Sequence, residues 1–114
     1  MKYLLMIYDD EKARHALPPA ERDALHRSYM TLVKELGAVY LGGAPLKPTA
    51  TAKSVRVRDD KTQITDGPFA ETREQLGGYF LVEAADLAEA TAIAARMPGA
   101  EFGTIEVRPL AAID

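Results

Sequence analysis

The sequence predicts an α+β fold with two helices and six short strands. Two observations support this prediction: apolar residues recur at helical spacing in two separate segments, and runs with the composition of β-strands lie before, between and after those segments. The chain has 114 residues, which is the usual length of one domain, and we expect residues 1–114 to form a single domain.

The first half of the chain predicts a strand, a helix and a second strand. Residues 2–8 are apolar at both odd and even positions, which is typical of a strand covered on both faces. A helix is predicted from about residue 19 to 36, because its apolar residues follow helical spacing and Gly37 occupies the position of a C-terminal cap. Val39–Leu41 then predicts a short strand.

The middle of the chain predicts a hairpin with one solvated face. Val55, Val57 and Ile64 alternate with polar residues on either side of a turn at 59–61, and Asp66-Gly67-Pro68 ends the alternation. The hairpin is therefore an addition to the alternating strands and helices around it.

The second half predicts a strand, a helix and a final strand. Tyr79–Val82 is apolar or aromatic on both faces, and residues 104–108 alternate between apolar and charged. Between them, Asp86 and Glu89 have the spacing of a capping box, and the apolar stripe that follows predicts a helix through Met97.

This order of elements is a ferredoxin-like βαββαβ plan with an additional β-hairpin. Two helices can cover only one face of the sheet, whereas the strands at residues 2–8 and 79–82 are apolar on both faces. The second face therefore predicts a homodimer in which a second copy of the chain covers it.

The most distinctive local feature is the stretch from Asp66-Gly67-Pro68-Phe69 to Gly77-Gly78. Taken alone, an aspartate followed by Gly-Pro at a strand end is a tight turn. The stretch also resembles the signature of DGPF-type proteins in the YCII-related family. The resemblance extends to residues 2–11, to Gly42-Gly43 and to the closing strand at 106–109.

Membership in this family implies the dimeric α+β barrel group, whose relatives include muconolactone-isomerase-like proteins and small monooxygenases. It also implies a histidine on the first helix together with an aspartate. His26 matches that histidine, and Asp66 is the candidate for the aspartate. In the alternative interpretation, His26 lies at the edge of the apolar stripe and meets solvent, and Asp66 only shapes the turn.

Aromatic residues in several elements predict a pocket for a small apolar or aromatic ligand. The candidate ligand-binding residues are Tyr8, Tyr29, Phe69 and Tyr79. Aromatic side chains also dominate ordinary cores, and that alternative stays open.

Composition excludes several classes of function. The absence of cysteine removes thiolate catalysis and cysteine-ligated zinc, and it is compatible with a reducing cytoplasm, where we expect the protein to be. The two histidines lack metal-ligand spacing, and the glycine pairs lack a dinucleotide frame, so neither a metal nor a cofactor is predicted. A net charge of −3 argues against direct nucleic-acid binding, and the short N-terminal apolar run predicts neither a signal peptide nor a membrane span.

Three functions remain as hypotheses. The first is a cofactor-free enzyme, such as an isomerase, lyase or monooxygenase-like protein, with His26 as general acid and base and Asp66 orienting it. The second, implied by the resemblance, is a non-catalytic module that serves extracytoplasmic-function sigma factors through a protein contact. The third is a stable dimer without a site beyond its interface.

Overall fold

The computed structural model describes residues 1–68 and 70–112. Six strands and three helices follow one another in the order β1 (Lys2–Asp9), α1 (Glu11–His15), α2 (Pro19–Leu36), β2 (Tyr40–Pro45), β3 (Lys53–Arg58), β4 (Lys61–Asp66), β5 (Gln75–Glu83), α3 (Leu87–Ala95) and β6 (Thr104–Pro109). Short 3-10 turns lie at Gly37–Val39, Thr49–Thr51 and Pro98–Glu101.

Four strands form one antiparallel sheet in the order β2-β5-β1-β6, and β3 and β4 form a separate hairpin. The two strands that are apolar on both faces, β1 and β5, lie at the centre of the sheet. This is the ferredoxin-like arrangement with an additional hairpin, as the sequence predicts.

The boundaries of α2 and the start of α3 follow from local chemistry. Pro19 lies in the first turn of α2, where its fixed φ suits a helix and its missing N–H is not needed. Gly37 ends α2 with a φ of 56°, a conformation that favours glycine. At the start of α3, Asp86 accepts a hydrogen bond from the N–H of Glu89 at 2.9 Å, which confirms the predicted cap.

Four elements differ from the sequence-based prediction. Strand β2 runs from Tyr40 to Pro45, four residues beyond the predicted end at Leu41. The five-residue helix α1 was not predicted, because its single turn has no apolar period. Strand β5 begins at Gln75 rather than at Tyr79, since Gln75, Leu76 and Gly78 pair with β1, with an irregularity at Gly77, although these residues lack strand propensity. Helix α3 ends at Ala95, two residues before Met97, which is instead buried in the core.

The core lies between one face of the sheet and the helices α2 and α3. Its most deeply buried side chains from the sheet are Tyr3, Leu5 and Val82, and Leu32 and Ile93 pack against them from the two helices. Within residues 1–68 and 70–112, no helix combines the length and the apolar character that are needed to cross a membrane.

The opposite face of the sheet is also apolar, and no helix covers it. Register places Leu4 beside Leu81 and Met6 beside Tyr79, all with the parity opposite to that of the core residues. These side chains are half-buried or exposed in the protomer. We call this surface the open face.

The β3–β4 hairpin extends from the rest of the chain. Among the described residues, its two strands contact each other, and neither packs extensively against another helix or strand. The exposed apolar side chains Val55, Val57 and Ile64 share one face of the hairpin. The radius of gyration is 16.0 Å, which exceeds the about 13 Å expected for a compact domain of this length.

Candidate functional site

A cavity of about 450 Å³ lies between helix α2 and the sheet, next to the ends of β1 and β2. This volume falls within the roughly 300–1,000 Å³ typical of small-molecule sites. The apolar part of its wall is formed by Ile7, Leu25, Met30, Val33, Tyr40 and Phe80.

Helix α2 contributes a stripe of polar groups to this cavity. Arg22, His26 and Tyr29 all line it, and they are separated by four and three residues, the spacing that places side chains on one helix face. Arg22 and His26 are exposed, whereas Tyr29 is partly buried. The stripe therefore runs from solvent toward the interior.

The deepest charged group of the cavity is Asp9, the last residue of β1. Its Oδ2 accepts a hydrogen bond from Nε of Arg14 at 2.7 Å, and the exposed fractions of the two side chains are 7% for Asp9 and 25% for Arg14. Its other oxygen, Oδ1, is buried and has no hydrogen-bond donor among the described residues. A buried carboxylate oxygen in this state needs an explanation, because nearly all buried polar atoms in proteins are hydrogen-bonded.

Arg14 lies on helix α1, and hydrogen bonds at the N-terminal end of this helix fix its position. The carboxylate of Asp10 caps the helix by accepting from two backbone N–H groups. Glu11 donates its N–H to the side chain of Gln75 at 3.0 Å and accepts from Oγ1 of Thr49 at 2.7 Å. The Thr49 hydroxyl lowers the pKa of Glu11 by this bond, because it stabilises the carboxylate form.

Two glycines provide space for these polar groups. A Cβ atom at Gly77 would lie 3.1 Å from Nη2 of Arg14 and 3.6 Å from Oδ1 of Asp9. A Cβ atom at Gly99 would lie 2.6 Å from the hydroxyl of Tyr29. Gly77 thus allows the guanidinium group to lie against the strand.

The hydroxyl of Tyr29 accepts a hydrogen bond from the N–H of Gly99 at 3.0 Å. Burial raises the pKa of Tyr29; the bond from Gly99 lowers this pKa, and the nearby charge of Asp9 raises it. The phenol is therefore protonated at neutral pH.

The structure brings together some of the sequence-predicted site residues. His26, Tyr29 and Tyr79 line the cavity, although register places Tyr79 on the open face, opposite Met6. Asp66 does not line it: this residue ends β4, and its carboxylate is 84% exposed and paired with Lys53. The protomer therefore does not form the expected pair of His26 and Asp66.

Two further candidates lie elsewhere. Tyr8 lines a shallower groove along β6, with Thr104 and Glu106. The predicted ligand-binding residue Phe69 lies outside the described residues.

Asp9 and Arg14 were missed by the sequence analysis, which did not include them among the candidate site residues. The sequence does contain a signal for Asp9, because this residue ends an apolar strand. The alternation of side chains along a strand places Asp9 on the same face as Leu5 and Ile7. Arg14 has no comparable signal, because its place depends on the tethering of α1. No group of three or more His, Asp or Glu side chains within the described residues is arranged to hold a metal ion.

The fold and the cavity define a small ferredoxin-like α+β protein with a ligand-sized space between sheet and helix. The chain belongs to the YCII-related domain family, whose model matches residues 1–114. This confirms the resemblance carried by the sequence motifs.

Proteins similar to the chain include one known from its sequence and one with a solved structure. An uncharacterised protein of Rhizobium meliloti (strain 1021) is 40% identical, over 97% of this chain and 93% of the relative. Among solved structures, 5-chloro-2-hydroxyhydroquinone dehydrochlorinase of Burkholderia phenoliruptrix AC1100, in complex with 2,5-dihydroxybenzoquinone, matches with a TM-score of 0.59 and 17% identity. That match covers 97% of this chain and 94% of the enzyme, and at this identity it establishes a shared fold.

Proposed function

We propose that the protein is a cofactor-free enzyme that carries out acid–base chemistry on a small organic molecule in the cavity. The observation that carries this proposal is the buried carboxylate of Asp9, a residue of the cavity wall, which has one oxygen bonded to Arg14 and the other without a partner among the described residues. An unsatisfied buried acceptor costs roughly 1–3 kcal/mol, so a ligand that donates to it regains this free energy on binding.

The proposed roles follow from the chemistry of each group. His26 acts as general acid and base, because an imidazole exchanges protons near neutral pH. Arg14 compensates the charge of Asp9 and fixes its orientation, so that Oδ1 positions the ligand. Asp9 is therefore assigned the positioning of the ligand, whereas the sequence analysis assigned to Asp66 the orientation of His26.

Two reaction types fit these groups. A proton taken by His26 from a carbon beside a carbonyl and returned to another atom gives an isomerisation. If a leaving group departs with its bonding electrons instead, the result is an elimination. Monooxygenase-like chemistry additionally requires dioxygen, and the proposal is confined to the first two types.

The similarity to the dehydrochlorinase supports this choice. The two proteins share their fold, and the enzyme is named for a reaction on a chlorinated, hydroxylated ring. A cavity of about 450 Å³ accommodates one such ring. Small oxygenated rings are therefore the first class of compounds to screen.

The test is a thermal-shift screen followed by turnover assays of variants on a compound that is converted. We expect His26→Ala and Asp9→Asn each to lower kcat/KM by about 100-fold or more, the scale of lost acid–base catalysis. Asp66→Asn is expected to keep the wild-type rate, because its side chain is exposed on the hairpin. Undiminished turnover in both cavity variants contradicts the proposal, and a loss confined to Asp66→Asn restores the sequence-based pairing.

We also propose that the protein is a homodimer in which the open faces of two copies pack together. The support is the apolar surface around Met6 and Leu81, which no element of the protomer covers. Light scattering at micromolar concentration should give twice the chain mass of 12.4 kDa. Leu81→Asp should yield monomers, whereas Gln63→Asp on the polar face of the hairpin should stay dimeric; a monomeric wild type excludes this assembly.

The comparisons give no support to a sigma-factor partner. Neither the family model nor the two similar proteins carry a description that involves transcription. That hypothesis is therefore not developed further.

A further inference from the structure

The hydroxyl of Tyr29 has a hydrogen to donate. A phenol has one O–H donor and accepts through its lone pairs. In the described part of the chain, the bond at this hydroxyl is the one accepted from Gly99, so the O–H group has no protein acceptor. Because Tyr29 lines the cavity, a bound molecule is in reach of this donor.

The position of this donor is fixed by its surroundings. The ring of Tyr29 packs edge-on against Phe80, with 6.0 Å between ring centroids. Only a glycine fits at position 99, since a Cβ atom there would lie 2.6 Å from the hydroxyl oxygen. The raised pKa keeps the phenol neutral, so the hydrogen is present at physiological pH.

The donor and the unsatisfied acceptor belong to residues that line the same cavity. The point that a Cβ of Gly99 would occupy is 2.6 Å from the Tyr29 hydroxyl and 3.2 Å from Cγ2 of Ile7, and Asp9 is two residues beyond Ile7 on β1. The charge of Asp9 also raises the pKa of Tyr29, so the two groups interact electrostatically. A ligand in this cavity therefore has both groups in its wall.

We propose that Tyr29 and Asp9 select ligands that carry two groups: the oxygen of a carbonyl or ionised enol, and a hydroxyl. The O–H of Tyr29 donates to the carbonyl or enol oxygen, and Oδ1 of Asp9 accepts from the hydroxyl. This assignment names the ligand class of the cavity and rests on the proposed function only for the step that follows. Cyclic hydroxyketones have the required pair of groups, together with a hydrogen on a saturated carbon beside the carbonyl.

The same contact assists the proposed reaction. When His26 removes a proton from a carbon beside the ligand carbonyl, the electrons of the C–H bond form the C=C bond of an enolate, and negative charge moves to the oxygen. The O–H of Tyr29 donates to this oxygen and stabilises the charge, as fixed donors do in oxyanion holes. The proton stays on the imidazole until it is returned to the product or released with the leaving group.

The test measures binding at pH 6, without turnover, of two probes: maltol and tropolone, each of which has a carbonyl beside a carbon that bears a protonated hydroxyl. The test variant is Tyr29→Phe. The control variant is Tyr3→Phe, which also loses one phenol oxygen, but outside the cavity. Tyr3 is buried in the core, and its hydroxyl contacts the sulfur of Met1. Absorbance titrations give the dissociation constants, and thermal melts verify that both variants are folded.

We expect Tyr29→Phe to weaken both probes by about 10-fold, the scale of one lost hydrogen bond, and Tyr3→Phe to bind them as the wild type does. Catechol has hydroxyls but no carbonyl, so its affinity for Tyr29→Phe should be less than twofold below its affinity for the wild type. Equal affinities of Tyr29→Phe and wild type, or no binding of either probe to the wild type at millimolar concentration, overturns the inference.

These outcomes are separable from a failure of the proposed reaction. If Tyr29→Phe loses probe affinity but no compound is turned over, the ligand assignment holds and the catalytic proposal fails. If His26→Ala abolishes turnover of a compound that Tyr29→Phe binds and converts normally, the catalytic proposal holds and the role of Tyr29 fails.

Discussion

Asp9 and Asp66 each pair with a basic side chain, in opposite surroundings. Asp9 and Arg14 meet at the cavity with 7% and 25% of their side chains exposed, whereas Asp66 and Lys53 meet on the hairpin with 84% and 62% exposed. Sequence reasoning selected Asp66 because it stands in a distinctive motif. The cavity contains Asp9, which follows an ordinary strand.

The motif around Asp66 has a structural explanation in the hairpin. Gly67 adopts a φ of 93°, a conformation that favours glycine. Its N–H donates to the carbonyl of Ala52 at 2.8 Å, and its own carbonyl accepts from the hydroxyl of Ser54 at 2.8 Å. These bonds close the base of the hairpin, so a conspicuous motif here reports backbone geometry rather than a place in the cavity.

The largest expected difference between the two regions comes from removing the basic partner. Arg14→Ala leaves the charge of Asp9 buried without compensation, and we expect it to lower the free energy of unfolding by about 2–4 kcal/mol. Lys53→Ala removes an exposed pair and should cost less than about 0.5 kcal/mol. Urea unfolding measures both; equal losses would mean that burial does not distinguish the two pairs.

The next expected effect is confined to the hairpin. Gly67→Ala places a side chain at a positive φ, which costs about 1–2 kcal/mol of local strain. Because the hairpin contacts mainly itself, we expect amide hydrogens of β3 and β4 to exchange about 5- to 30-fold faster, while those of β1 and β5 keep their protection. Hydrogen exchange with mass spectrometry measures this, and faster exchange in the central strands would show that the two regions unfold together.

The smallest expected effect tests the link between the regions, the bond from Thr49 at the base of the hairpin to Glu11 on α1. This bond lowers the pKa of Glu11 in the folded chain below its ordinary 4.5. It therefore adds stability above about pH 4.5 that is lost as pH falls through the lower folded value. Since Glu11 is partly exposed, the contribution is a few tenths of a kcal/mol.

Thr49→Val removes the largest cause of this pKa shift. We expect the variant to melt slightly below the wild type at pH 7 and the difference to narrow between pH 4.5 and 3. Melting curves across this range measure the effect. A difference that is the same at pH 3 and pH 7 would assign the loss to packing rather than to the carboxylate.

Elements with strong local signals could be predicted from the sequence. The boundaries of α2, the cap at Asp86 and the turn at Gly67 all depend on residues within a few positions of each other. Helix α1 could not be predicted, because one turn is unstable alone and this one is held by bonds to Gln75 and Thr49. The cavity was predicted in part: His26 and Tyr29 share a helix face, so their proximity is local.

The sequence by itself determined the order of the six strands and of helices α2 and α3, the family and the histidine face of α2, since each depends on short-range spacing. Only the tertiary structure decided that Asp9 and Arg14 meet at the cavity, that Gly77 gives them room, and that Asp66 remains on an exposed hairpin. These placements depend on contacts between distant parts of the chain. Burial then decides which carboxylate has an oxygen without a hydrogen-bond donor, and burial is a property of the folded chain.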